Sequence, residues 1–189
     1  MAEWSNSKTG YGLTARLFHW ISALMIVGMV MAGLYLSGLE RGPERTQALN
    51  LHAQFGFLTL LVISARFIWR LRSVEPAPPT GSKAWERILA TAVHSAIYIT
   101  LFTQIIAGIM TILTVLSEFS VLGLFTLPSP VGKNMELHNL FEEIHKTGWI
   151  VLLVLVSIHI LGAIYHQAVK DDEVMSRMIS GSPARPPQK

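Results

Sequence analysis

Four histidines sit within otherwise apolar stretches. They are His19 beside Trp20, His52 after Leu51, and His145 and His159 in the run from Ile144 to Val169. A neutral imidazole offers iron a nitrogen lone pair, and two such rings close both axial positions of a haem. A histidine inside a membrane-length apolar stretch is costly and points to function. For any one ring alone, a hydrogen bond to a neighbouring helix is an equal reading. Spacing separates the two. Fourteen residues part His145 from His159, close to four whole turns at about 100° per residue, so both rings leave one face of one helix. Their heights differ by about 21 Å at about 1.5 Å per residue. That is most of a hydrocarbon core of roughly 30 Å. Two imidazoles at two levels read as axial ligands of two haems. Iron ligated on both sides suits electron transfer better than oxygen chemistry.

Such rings need long apolar helices to hold them. Four stretches reach spanning length: Leu17–Leu39, Leu49–Trp69, Ile88–Leu116 and Thr147–Val169. The third exceeds what a span needs and should tilt or project. The first follows a mostly polar segment and has no small-residue cleavage site after it, so it reads as a retained span. With 51% hydrophobic and 14% charged residues and a mean hydropathy of +0.44, the 189-residue chain is too apolar for an ordinary soluble domain. The expected fold is an all-α membrane protein, a four-transmembrane-helix bundle over residues 17–169, with a cytoplasmic N-terminal tail (1–16) and a cytoplasmic C-terminal tail (170–189). Cysteine is absent, which excludes disulfides, zinc–thiolate sites, iron–sulfur clusters and c-type haem attachment. Basic residues flank the apolar runs instead of interleaving with aromatics, so no nucleic-acid footprint is present.

Charge sets the orientation. Four spans place both tails and the second-to-third loop on one side. That side carries Lys8, Arg16, Arg66, Arg70, Arg72, Lys83, Arg87, Lys170, Arg177, Arg185 and Lys189. The other carries only Arg41, Arg45, Lys133 and Lys146. Both termini should face the cytoplasm. The histidines then sort by height without further assumption: His52 and His145 toward the outer face, His19 and His159 toward the inner.

Other residues carry weaker signals. His94 lies level with the inner pair, where a propionate or quinone contact and a helix–helix hydrogen bond are equally readable. His138 falls in the loop Phe119–Asn139 and reads as solvated. His166 competes with His159, but using it would part the irons by about 31 Å along the helix, a poor distance for electron transfer; it reads as an interfacial, solvated ring. Arg66 reads as a snorkelling inner-face arginine, with a propionate contact as the alternative. Gly56, Gly108 and Gly162 could admit a macrocycle or simply pack helices. Trp20, Trp69 and Trp149 suit an aromatic belt. Glu142, Glu143 and Lys146 could handle quinone protons, though a solvated cluster is the plainer reading. The opening, Met1 to Arg16, is expected to be disordered or interfacial, and the Pro-rich tail after Arg177-Met178 is expected to be disordered.

Taken together, His19-Trp20, His52-x-x-x-Gly56, His145 and His159 followed by His166, and Lys170-Asp171-Asp172 with Arg177-Met178 resemble the prokaryotic cytochrome b561 family over about Gly12 to Ile179. The resemblance implies two haem b groups ligated at His19, His52, His145 and His159, and electron transfer in the bacterial cytoplasmic (inner) membrane. It also implies exchange with ubiquinone or a redox protein. One branch oxidises superoxide at the outer face, and these residues do not assign the chain to it. Members often carry a histidine pair where this chain has His166-Gln167. Enzymatic turnover, as a quinone-linked oxidoreductase, stays open. Two other readings remain: a cytochrome b anchor subunit of a hydrogenase or formate dehydrogenase type complex, and a haem-free transporter or structural membrane protein. The lack of paired acidic residues within the spans weighs against an ion pathway.

Overall fold

The computed structural model describes residues 3–79 and 81–181; Arg185, Lys189 and the proline-rich end of the chain lie outside them. The elements run α1 (Leu13–Gly38), α2 (Pro43–Arg72), α3 (Ala84–Leu113), β1 (Glu118–Val121), β2 (Phe125–Pro128), α4 (Met135–Ala168) and α5 (Val174–Ile179). Among the described residues, α1 to α4 are the four helices long and apolar enough to cross a membrane. The protein is a helical membrane protein with four spans.

Helices α2, α3 and α4 begin before the apolar stretches they contain, because polar residues extend them. Pro43 opens α2, where its fixed φ suits the first helical position and its missing N–H costs nothing. Glu86 Oε2 accepts the Lys83 N–H at 2.8 Å and closes the first turn of α3. Asn134 Oδ1 accepts the Leu137 N–H at 3.0 Å and starts α4 at Met135. Arg45 satisfies the free end of α1, donating to the carbonyls of Leu36 (2.9 Å) and Leu39 (2.8 Å).

The loop after α3 is more ordered than the sequence suggests. It holds an antiparallel hairpin in which Glu118 faces Pro128 and Val121 faces Phe125. Its turn places Leu122 (φ 52°) and Gly123 (φ 69°) in the left-handed region, easy for glycine and strained for leucine. Gln54 docks the hairpin, donating to the Ser120 carbonyl at 2.9 Å and accepting the Leu122 N–H at 2.7 Å.

The chain forms two compact units. One comprises Met1–Ser22, Ile63–Tyr98 and Leu153–Lys189. Within it the N-terminal segment is tied down, because the Ala77 N–H donates to the Lys8 carbonyl at 2.9 Å and the Asn6 amide to the Val74 carbonyl at 3.1 Å. The segment after α4 is tied too. Lys170 pairs with Glu86 at 2.8 Å, Arg177 donates to the Ala77 carbonyl at 2.8 Å, and the Trp20 indole donates to the Met178 carbonyl at 3.1 Å. The described part of the N-terminal tail is therefore tied to its unit, as is the segment from Lys170 to Met178, and the proline-rich end expected to be disordered lies outside the described residues.

The other unit comprises Ala23–Val62 and Ile99–Leu152. Its core gathers Leu113, Phe119 and Val121 with Ala53, Phe57, Ile109, Ile112 and Leu127 around them. In both units the fully buried set is small, while leucines and isoleucines such as Leu24 and Ile88 are largely exposed. In lipid that is the stable arrangement, since the acyl chains solvate apolar surface and helices associate through small residues. Ser22 and Thr59 illustrate this: both are buried, and each returns its hydroxyl to the carbonyl four residues earlier, of Phe18 and Phe55.

Candidate haem sites

In the first unit, α1 brings His19 and α4 brings His159 to a ring-centroid separation of 6.1 Å. In the second, α2 brings His52 and α4 brings His145 to a separation that is also 6.1 Å. These are the two pairs that the heights select. An imidazole nitrogen binds a first-row metal at about 2 Å, and the ring centre lies about 1.1 Å behind it, so two imidazoles facing one metal have centres about 6 Å apart. Both pairs meet that requirement.

The same arithmetic excludes a rival. The ring centre of His94, on α3, lies 5.0 Å from that of His159, about 1 Å too close for a metal between them. His94 thus borders the first pair through an edge-on ring contact. His166 is drawn elsewhere: its Nδ1 meets Asp172 Oδ2 at 2.5 Å, and its ring touches Tyr165. It is partnered by a carboxylate and not merely solvated. Among the described residues, no three His, Asp or Glu side chains converge as a separate metal site.

Each pair has its own surroundings. His145 Nδ1 lies 2.8 Å from the Gln104 carbonyl. A carbonyl only accepts, so Nδ1 carries the proton and Nε2 keeps its lone pair, the tautomer that an iron ligand requires. Gly108 makes room for one of these rings, while Gly33 stands at ordinary contact distance from the other. A Cβ on Gly108 would stand 2.9 Å from His145 Cε1, and one on Gly33 would stand 3.6 Å from His52 Cε1. His52 Nδ1 is buried without a partner. Of the glycines singled out from sequence, only Gly108 meets a histidine; Gly56 faces Met29, and Gly162 has open space.

Around the first pair, Arg66 Nη2 lies 2.9 Å from His19 Nδ1, and the guanidinium sits 5.6 Å from the Tyr98 ring centre. Arg66 is turned inward onto a histidine, so the snorkelling expectation does not describe it. His138, expected in solvent, lies in the first turns of α4 and contacts the Thr111 carbonyl at 2.9 Å. Lys146 pairs with Glu142 at 2.9 Å on an exposed surface, as a solvated cluster would. Sequence inspection missed Gly33 and the Gln104 carbonyl, because neither residue type signals which ring it faces.

A polytopic membrane protein with two separate pairs of closely approaching imidazoles has the histidines that a membrane haem protein needs. A family model described as prokaryotic cytochrome b561 matches residues 10–181. Over 188 residues the chain is 27% identical to cytochrome b561 homolog 2 of Escherichia coli (strain K12), covering 95% of this chain and 96% of that protein. Over 171 residues it is 26% identical to cytochrome b561 homolog 1 of the same organism, covering 89% of this chain and 96% of that protein. The chain belongs to the prokaryotic cytochrome b561 family: it is a multi-pass prokaryotic membrane protein of electron transfer that uses b-type haem.

Proposed function

We propose that this chain carries electrons across the bacterial cytoplasmic membrane through two bis-histidine b-type haems and exchanges them with the quinone pool. His19 and His159 ligate one haem, and His52 and His145 ligate the other. The observation that supports this reading is the recurrence of one ring separation, 6.1 Å, in two units that each hold a histidine pair.

When bound, b-type haem supplies a one-electron iron couple. The chain's residues do the rest. The Gln104 carbonyl holds His145 in the ligating tautomer. Gly108 leaves space for the ring of His145. Ubiquinone is the acceptor this reading favours, and superoxide at the outer face is one candidate donor. The excess of Lys and Arg on the tails and the α2–α3 loop supports cytoplasmic termini. The organisation that follows is a span-bearing region of 17–169 between two short cytoplasmic tails.

The test is a pyridine haemochrome assay on the purified chain. The expected result is two b-type haems per chain, retained without any other subunit. A haem-free preparation would overturn the reading in favour of a transporter or structural protein. Consistent copurification with a large metalloenzyme would replace it with an anchor subunit.

A further inference from the structure

At the end of α2 a cleft of about 560 Å³ opens between that helix, the start of α1 and the N-terminal segment, all within one compact unit. Its wall changes character along α2. Ala65 and Ile68, with Phe18 of α1, make an apolar stretch, and Arg72 and Ser73 at the helix end make a polar one. From Ala65 to Arg72 the helix advances about 10 Å, at about 1.5 Å per residue. A lipid leaflet makes the same passage, from acyl chain to phosphate, at the edge of the hydrocarbon core.

Two groups on this wall want a partner of one kind. Among the described residues no carboxylate pairs with Arg72, although its neighbour Arg70 has Glu75 at 4.0 Å. The indole N–H of Trp69 is buried and has no acceptor among them, and an indole nitrogen only donates. A cation and a donor together select an acceptor-rich anion. The cleft is also held in shape. Asn6, on its N-terminal wall, donates to the Val74 carbonyl at 3.1 Å and accepts the Gly12 N–H at 3.0 Å. The Ala77 N–H bond to the Lys8 carbonyl, 2.9 Å, fastens the same segment to the chain that follows α2.

We propose that this cleft binds one anionic phospholipid. The headgroup phosphate pairs with Arg72, an ester carbonyl accepts from the Trp69 indole, and the upper acyl chain lies along Ala65, Ile68 and Phe18. Arginine–phosphate pairing is charge-assisted, and one basic residue at a membrane surface favours an anionic lipid by about fivefold. A zwitterionic lipid brings its own ammonium and gains less. A quinone brings no anion, and a free phosphate leaves the apolar wall uncovered.

The test counts lipid on the full-length, haem-loaded protein. The purified chain in detergent is titrated with dioleoyl phosphatidylglycerol or dioleoyl phosphatidylcholine, and bound lipid is read by native mass spectrometry. Wild type should retain one phosphatidylglycerol per chain with at least a fivefold preference over phosphatidylcholine. Arg72→Gln should abolish the preference, Arg72→Lys should restore it, and Arg41→Gln, at the far end of the spans, should leave it alone. Trp69→Phe, which keeps a ring and loses the N–H, should weaken retention about fivefold. Ala65→Phe, which fills the cleft and spares Arg72, should also remove the retained lipid. A preference that survives Arg72→Gln overturns the proposal. Retention that survives Ala65→Phe overturns it too, since Arg72 would then be attracting lipid as any surface cation does. Displacement of the lipid by glycerol phosphate would assign the cleft to a free phosphate, and displacement by ubiquinone would assign it to a quinone; either result rejects a lipid site.

Discussion

At the scale of single residues, space and protons govern the sites. The His145 ring is pinned by its bond to the Gln104 carbonyl and pressed against Gly108, so it has little freedom to yield. Gly108→Ala should therefore strain the ring by about 1–3 kcal/mol, the usual scale for overpacking. Haem quantification should show about one haem lost per chain, from the His52/His145 site. Gly162→Ala is the control. Nothing lies within 4 Å of its added methyl, so haem content should hold and thermal stability should rise slightly, by up to about 1 kcal/mol of helix propensity. Equal haem loss in both variants would show that helix packing in general, and not the His145 contact, is what Gly108 serves.

At the scale of elements, the segment after α4 acts as a clasp within its unit. Lys170 reaches Glu86 in the first turn of α3, and that hydrogen bond holds the Lys170 ammonium above the usual lysine range. A raised cation pKa stabilises the fold fully below the ordinary lysine value and loses that contribution as pH climbs through the folded value. Melting measured from pH 8 to pH 11.5 should thus show a wild-type advantage over Lys170→Met that fades above about pH 10.5. A constant difference would contradict this. Arg177 is buried, paired with Glu173 at 3.5 Å, and donates to the Ala77 carbonyl. Arg177→Met takes the donor from that carbonyl and removes the ion pair to Glu173, and should cost about 3 kcal/mol, read as a lower melting temperature with haem content unchanged.

These contacts also mark what the sequence could and could not show. Helix existence and histidine height follow from apolar runs and from the fixed rise per residue, so four spans and two levels were legible. Rotation of one helix against another was not. His19 can be seen to lie level with His159, but not that Arg66 meets its Nδ1 or that Gly33 faces His52. Capping was legible in principle, and Asn134 three residues before Leu137 is the signal that would have begun α4 earlier. The hairpin hid behind a proline-rich run and a strained Leu122. The clasp hid in a polar tail whose partners, Glu86 and Ala77, lie far away in sequence.

At the scale of the whole molecule, the claims are orientation and cofactor number. If the basic segments hold the termini in the cytoplasm, as proposed, green fluorescent protein fused after Lys189 should fluoresce and alkaline phosphatase fused there should be inactive. The opposite result would invert the assignment of outer and inner pairs while leaving each pair intact. The central claim is that four imidazoles hold two redox-active irons, and a potentiometric titration of the purified chain with haem quantification tests it most directly. Wild type should give two one-electron waves and two b-type haems per chain, and His145→Ala should give one wave and one haem. A single haem in wild type, or a His145→Ala variant that loses both haems or neither, would contradict the account.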